Sequence, residues 1–86
     1  MPHRRVTIAI AEGLHARPAA LFVKLASEQP AKVTIRTDDS EPVDSDSILG
    51  VMTLGAGAGD VVVLDADGAG ADESLDALET YLTTAG

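Results

Sequence analysis

Val6, Ile8 and Ile10 alternate with Thr7 and Ala9, the period-two pattern of a strand with one buried face. From residue 18 the period lengthens. Leu21, Phe22, Leu25 and Ala26 recur at helical spacing, and Pro30 cannot continue a helix, so residues 18–28 are predicted to form a helix whose apolar stripe covers the sheet. Alternation returns over residues 31–37. Asp38-Asp39-Ser40 is turn chemistry, and residues 41–44 complete a hairpin in which Pro42 confines the second strand to an edge. Ser47 reads as the N-cap of a short helix over residues 48–54 that stops at Gly55. Residues 56–60 read as a flexible link to the continuous apolar run 61–64, a central strand closed by residues 65–70. Asp72 then opens a last helix with Leu75, Leu78 and Leu82 as its buried stripe. The order β-α-β-β-α-β-α predicts an α+β layer pair, with helices on one face of a four-stranded sheet.

Composition narrows the possibilities. A chain of 86 residues, 45% of them apolar, supports one small domain over residues 1–86, expected to be a compact monomer. With no cysteine there is no disulfide framework and no thiolate metal site, and neither a metal nor a cofactor is called for. No apolar run reaches the length of a signal h-region or a membrane span, which predicts a soluble, cytoplasmic protein without membrane insertion. One Phe, one Tyr and a net charge of −8 argue against nucleic acid as a partner. The charge is uneven: all six basic residues precede Thr37, where the balance is +4, and the rest of the chain carries −12. Most of these charges serve as a solvated surface, but Arg17 and Lys24 form a positive patch at the start of the first helix that can orient a partner.

The candidate chemistry lies in Gly13-Leu14-His15-Ala16-Arg17-Pro18-Ala19-Ala20, where strand pattern gives way to helix pattern. The glycine suits a tight turn, Pro18 fits a first helical turn because no N–H is needed there, and the alanines favour the helix. His15 is thereby placed at a helix N-terminus, where free N–H groups, the positive end of the dipole and the Arg17 guanidinium can hold an anion. A nucleophilic imidazole beside such a cradle suits a transient phosphohistidine, with the amides of Ala16 and Arg17 on the phosphate oxygens. On the 48–54 helix, Val51 and Leu54 are expected to face the core, leaving Ile48, Leu49 and Met52 exposed as an apolar docking patch. His3 has no neighbours that suggest a role.

The GLHARPAA segment resembles the active-site signature of the HPr phosphocarriers of the bacterial phosphoenolpyruvate-dependent sugar phosphotransferase system. Residues 47–55 resemble the second signature of that family, a regulatory serine opening a short apolar helix. The resemblance implies an open-faced β-sandwich with antiparallel strand order 1-4-2-3. It further implies that His15 accepts a phosphoryl group on Nδ1 from phosphorylated enzyme I, with Arg17 assisting, and donates it to enzyme IIA domains of sugar permeases. Such a protein is a carrier rather than a turnover enzyme. In relatives with an HPr kinase/phosphorylase, the serine matching Ser47 is phosphorylated. Asp44 and Asp46 flank Ser47 here, and Ser27 and Gly50 stand where many relatives carry lysines, so the positive docking surface is thinner. The alternatives are an HPr-like regulator acting by partner binding, a kind that typically lacks the histidine, and a carrier of a nitrogen-related or dihydroxyacetone kinase branch.

Overall fold

The computed structural model describes residues 3–84. The chain runs β1 (His3–Thr7), α1 (Ala16–Ser27), β2 (Val33–Thr37), β3 (Val43–Asp44), α2 (Ile48–Thr53), β4 (Val61–Ala66) and α3 (Ala71–Thr83). The strands form one antiparallel sheet in the order β1-β4-β2-β3. The three helices lie on one face, giving an open-faced sandwich. Strand alternation sends Val6, Val62, Leu64, Ala66, Val33 and Ile35 toward the helices. There they meet Ala19, Phe22 and Ala26 of α1, Val51 of α2 and Leu75, Leu78 and Leu82 of α3 in one core. Each large side chain so buried contributes about 1.5–3 kcal/mol relative to exposure.

The opposite face carries the other half of the alternation. His3, Arg5 and Thr7 lie beside Asp65, Val63 and Val61, and Thr34 and Arg36 continue the rows across β2. Val63 is on this uncovered face yet only 2% exposed. In register it is flanked by Arg5 on one side and Arg36 on the other, and long arginine stems shield apolar surface while their heads stay in water. The head of Arg5 pairs with both carboxylate oxygens of Asp38, at 2.9 and 3.0 Å, which holds that carboxyl below its ordinary pKa. Arg4, on the helix side, pairs instead with Asp76 and with Glu79 at 2.8 Å.

Several boundaries differ from those the pattern predicts. β1 lies earlier than residues 6–10, because β4 supplies partners only as far as Thr7↔Val61. Ile8 and Ile10 still turn inward and are buried. β4 extends past Leu64 to Ala66 because β1 and β2 pair with it along that length. β3 shrinks to Val43–Asp44, consistent with Pro42 lacking an N–H for a ladder. α1 begins two residues before Pro18, and Leu21, expected in its buried stripe, is 49% exposed. Phe22 and Ala26 bury themselves, while Leu25 packs at the margin of the core. The last helix opens one residue before Asp72, with Gly70 as N-cap at φ 80°. A Cβ at Gly70 would stand 2.8 Å from the Pro30 ring, so glycine is required there twice over.

Two buried serines make a contrast. Ser74 accepts from the Ala31 N–H at 3.1 Å and donates to the Gly70 carbonyl at 2.8 Å, fastening α3 to the segment before β2. Ser45 is equally buried, but its hydroxyl finds no partner among the described residues. Ser74→Ala should therefore cost about 1–3 kcal/mol, since a buried N–H loses its acceptor, whereas Ser45→Ala loses no bond and should leave stability unchanged or raise it. Urea unfolding midpoints of the two variants check this. A larger loss at position 45 than at 74 would show the pairing to be wrongly assigned.

Candidate functional site

His15 is the N-cap of α1, with extended backbone at φ −127° and ψ 156°. Its ring is exposed, makes no capping bond and has no hydrogen-bond partner among the described residues. The next residues carry the cradle. Ala16 and Arg17 open the helix, and their N–H groups have no acceptor within it, while Pro18 contributes none. No acidic residue lies in this first turn to compete for those donors. Arg17 is exposed and forms no ion pair among the described residues, in contrast to Arg4, Arg5 and Lys32. A histidine, two free amides and an unpaired guanidinium at the positive end of a twelve-residue helix can bind a phosphoryl oxyanion and place a ring nitrogen beside it.

One feature departs from what the alanines suggest. Ala16 has φ 48°, the left-handed region that residues bearing a Cβ avoid at a cost of order 1–3 kcal/mol. The chain thus turns sharply between the extended His15 and the helix proper. The bond that should close the first turn, Ala19 N–H to the His15 carbonyl, is long at 3.4 Å. Support comes from outside the helix. Leu14 is fully buried, and its N–H donates to the Ala56 carbonyl at 2.9 Å. Gly13, at φ 69°, lies so near that a Cβ there would stand 2.6 Å from the Gly57 Cα.

Residues 56–60, read from their Gly-Ala composition as a flexible link, are therefore a support. Ala56 is buried, and the Asp60 carboxylate accepts from the Gly57 N–H at 2.8 Å. The legible signal was the small side chains, which permit one backbone to approach another as readily as they permit motion. Tyr81 was also missed: its hydroxyl donates to the Pro18 carbonyl at 2.8 Å. A buried tyrosine hydroxyl needs a partner, but nothing in the sequence says which.

The remaining site residues fall into place unevenly. Ser47 caps α2, accepting from the Gly50 N–H at 3.2 Å. Gly50 brings the helix close to β3, where a Cβ would stand 3.1 Å from the Val43 Cβ. Val51 is buried and Leu54 half-buried, while Leu49 is 77% exposed and Ile48 and Met52 are exposed beside it. α2 packs against α1, so this apolar patch and the exposed residues of α1 belong to neighbouring elements. Lys24, expected beside the histidine turn, lies instead in the last turn of α1, roughly 12 Å along the helix from Ala16. It is exposed there, at the outer part of the same helix. His3 is exposed at the start of β1. No helix among the described residues is long and apolar enough to cross a membrane.

Comparison with known proteins bears on this arrangement. Residues 2–84 match the family model described as the PTS HPr component phosphorylation site. The chain is 46% identical to the phosphocarrier protein HPr of Streptomyces coelicolor over 91% of this chain and 84% of that one. It is 44% identical to that of Haloferax volcanii over 94% and 92%. The HPr-like protein Crh of Bacillus subtilis is 37% identical over 95% of both chains. Among solved structures, HPr from Bacillus anthracis matches with a TM-score of 0.89 at 38% identity, covering 94% of this chain and 95% of that one. Two other similar structures are described as dimers. They are an HPr from Thermoanaerobacter tengcongensis, with a TM-score of 0.67 at 45% identity over 85% of each chain, and Bacillus subtilis Crh, with a TM-score of 0.72 at 36% identity over 95% and 93%. With the family model matching nearly the whole chain, relatives at 42–46% identity and the same strand order and helix layer as solved HPr structures, the chain belongs to the HPr phosphocarrier family of the phosphotransferase system.

Proposed function

We propose that residues 1–86 form one carrier unit in which His15 accepts a phosphoryl group from phosphorylated enzyme I and donates it to enzyme IIA domains in sugar uptake. The observation that carries this reading is the exposed His15, without a hydrogen-bond partner among the described residues, at the N-cap of a helix whose first turn holds two amides free of intrahelical bonds and the exposed Arg17. In the first transfer the Nδ1 lone pair attacks phosphorus, and the donor's bond to phosphorus breaks with its electron pair. The amides of Ala16 and Arg17 and the Arg17 guanidinium hold the equatorial oxygens as charge accumulates. The second transfer reverses the roles: His15 is the leaving group, and the acceptor on the IIA domain attacks. A carrier must stabilise neither end state strongly, and an open turn holding a nitrogen–phosphorus bond satisfies that. In this reading the protein is an intermediate of a phosphotransferase chain, consumed and regenerated, rather than an enzyme with its own turnover.

Docking falls to the exposed Ile48, Leu49 and Met52, with Arg17 and Lys24 giving orientation. The carrier works in the cytoplasm, as a monomer. Where an HPr kinase/phosphorylase acts, Ser47 receives a phosphate beside the apolar patch. The regulator reading draws on the likeness to Crh, but a protein acting only by partner binding has no need of His15 and its cradle.

His15→Ala should fold as the parent does and accept no phosphoryl group from phosphoenolpyruvate plus cognate enzyme I, as judged by labelling and mass spectrometry. Label retained at another residue would move the active site. Ser47→Ala should cost about 0.5–2 kcal/mol through loss of the cap on α2. Ser47→Asp restores a capping oxygen and should be the more stable of the two, yet it places charge beside Leu49 and should slow transfer from enzyme I. Transfer by Ser47→Asp at the parental rate under sub-saturating conditions would show the docking patch to be misplaced. Analytical ultracentrifugation should give a single species of about the chain's own mass, 8.8 kDa, and a dominant dimer would refute the monomer reading.

A further inference from the structure

The first turn of α1 has little of its own to hold it in shape. Its N-cap offers no side-chain bond, Pro18 lacks an N–H, Ala16 sits at φ 48°, and the closing bond from Ala19 to His15 is stretched to 3.4 Å. Yet this turn must present the Ala16 and Arg17 amides in one geometry. Among the described residues, a single side-chain hydrogen bond reaches residues 13–19, from the Tyr81 hydroxyl of α3 to the Pro18 carbonyl at 2.8 Å. The ring that carries this hydroxyl is itself held. It lies 6.0 Å from the Phe22 ring, tilted by 43°, and is half-buried beside Ile10 and Leu21. Phe22 is fully buried and lies one helical turn beyond Pro18. The donor is therefore anchored to the core, and the acceptor belongs to the turn that lacks internal support.

We propose that Tyr81 is a positioning residue for phosphoryl transfer: its hydroxyl tethers the Pro18 carbonyl and so keeps the amides of Ala16 and Arg17 aligned on the phosphoryl oxygens. Together with the Leu14 N–H bonded to Ala56, the tether gives the His15 turn one fixed point on each side. The one side-chain hydrogen bond of Tyr81 among the described residues goes to Pro18, and none joins it to His15 or to α2, so its effect is expected on the geometry of the transfer state and not on the encounter with a partner. The proposal rests on the phosphocarrier reading for its kinetic consequence, but the tether itself has a readout of its own.

The test compares the full-length parent, Tyr81→Phe, and a Tyr81 variant bearing p-aminophenylalanine, whose N–H can donate to the same carbonyl. Tyr81→Phe keeps the ring contact with Phe22 and removes only the donor. Its transfer rate at saturating phosphorylated enzyme I should fall by about three- to tenfold, the net worth of one hydrogen bond, while the half-saturating concentration should stay within about twofold. NMR order parameters of the Ala16 and Arg17 amides should fall in Tyr81→Phe, and p-aminophenylalanine should restore both rate and order. Parental rate and order in Tyr81→Phe would overturn the proposal, as would a change confined to half-saturation or a failure of the amino variant to rescue. If the parent itself takes no phosphoryl group on His15, the carrier reading fails. The order parameters then decide the tether alone, a fall supporting it and no change overturning it.

Discussion

β4 must be hydrogen-bonded along both edges and covered on one face, and the other elements answer to that requirement. A strand reading Val-Val-Val-Leu cannot stand at an edge without exposing both apolar side chains and unpaired backbone groups, so β1 and β2 take its two sides. Since β1 precedes and β2 follows α1, the connection from β1 to β2 must pass over β4. The helix spans that crossover, and the turn by which the chain leaves the sheet to enter it is the segment holding His15. Placement of His15 thus follows from where the central strand sits. Leu14 buries itself at this corner, which leaves His15, the next residue, outside.

The charges sort themselves by the same geometry. The basic and acidic stretches are distant in sequence but adjacent in space: Arg4 reaches Asp76 and Glu79, Arg5 reaches Asp38, and Lys32 lies 3.4 Å from Asp44. Such exposed pairs contribute little stability each. Their larger effect is on what remains, because Arg17, Lys24 and Arg36 are left without a carboxylate partner among the described residues. Of the three basic side chains so left, two lie on the helix capped by His15 and the third, Arg36, on the open face of the sheet.

The periodicity of the sequence was enough for the order of elements, the N-cap at Ser47 and the outward faces of Ile48, Leu49 and Met52, since each depends on neighbours within one or two turns. Strand order came from family resemblance, as no local pattern encodes which of two apolar runs pairs with a third. What pattern could not supply were the contacts that cross the fold. Leu21 fits a helical stripe as well as Phe22 does, yet Phe22 is buried in the core shared with the sheet and Leu21 is left outside it. Likewise the left-handed Ala16 contradicts the helix preference of alanine, because tertiary anchors on either side offset a backbone strain of about 1–3 kcal/mol. The segment after α2 supports the histidine turn through a carbonyl, a group every residue has, so no side chain advertises it.

The uncovered face of the sheet has a consequence for crowding. An exposed sheet invites a second one to stack on it, and stacking pays best where rows of apolar side chains interdigitate. Here the one apolar residue at the middle of the face, Val63, sits between Arg5 and Arg36, and any sheet laid over it would have to strip water from both guanidinium groups and from Asp65 and Asp38. Two copies lying face to face would have to meet that desolvation cost. The alternation that buries one side of the sheet thus leaves the other side wetted by charge, a poor footing for a second layer.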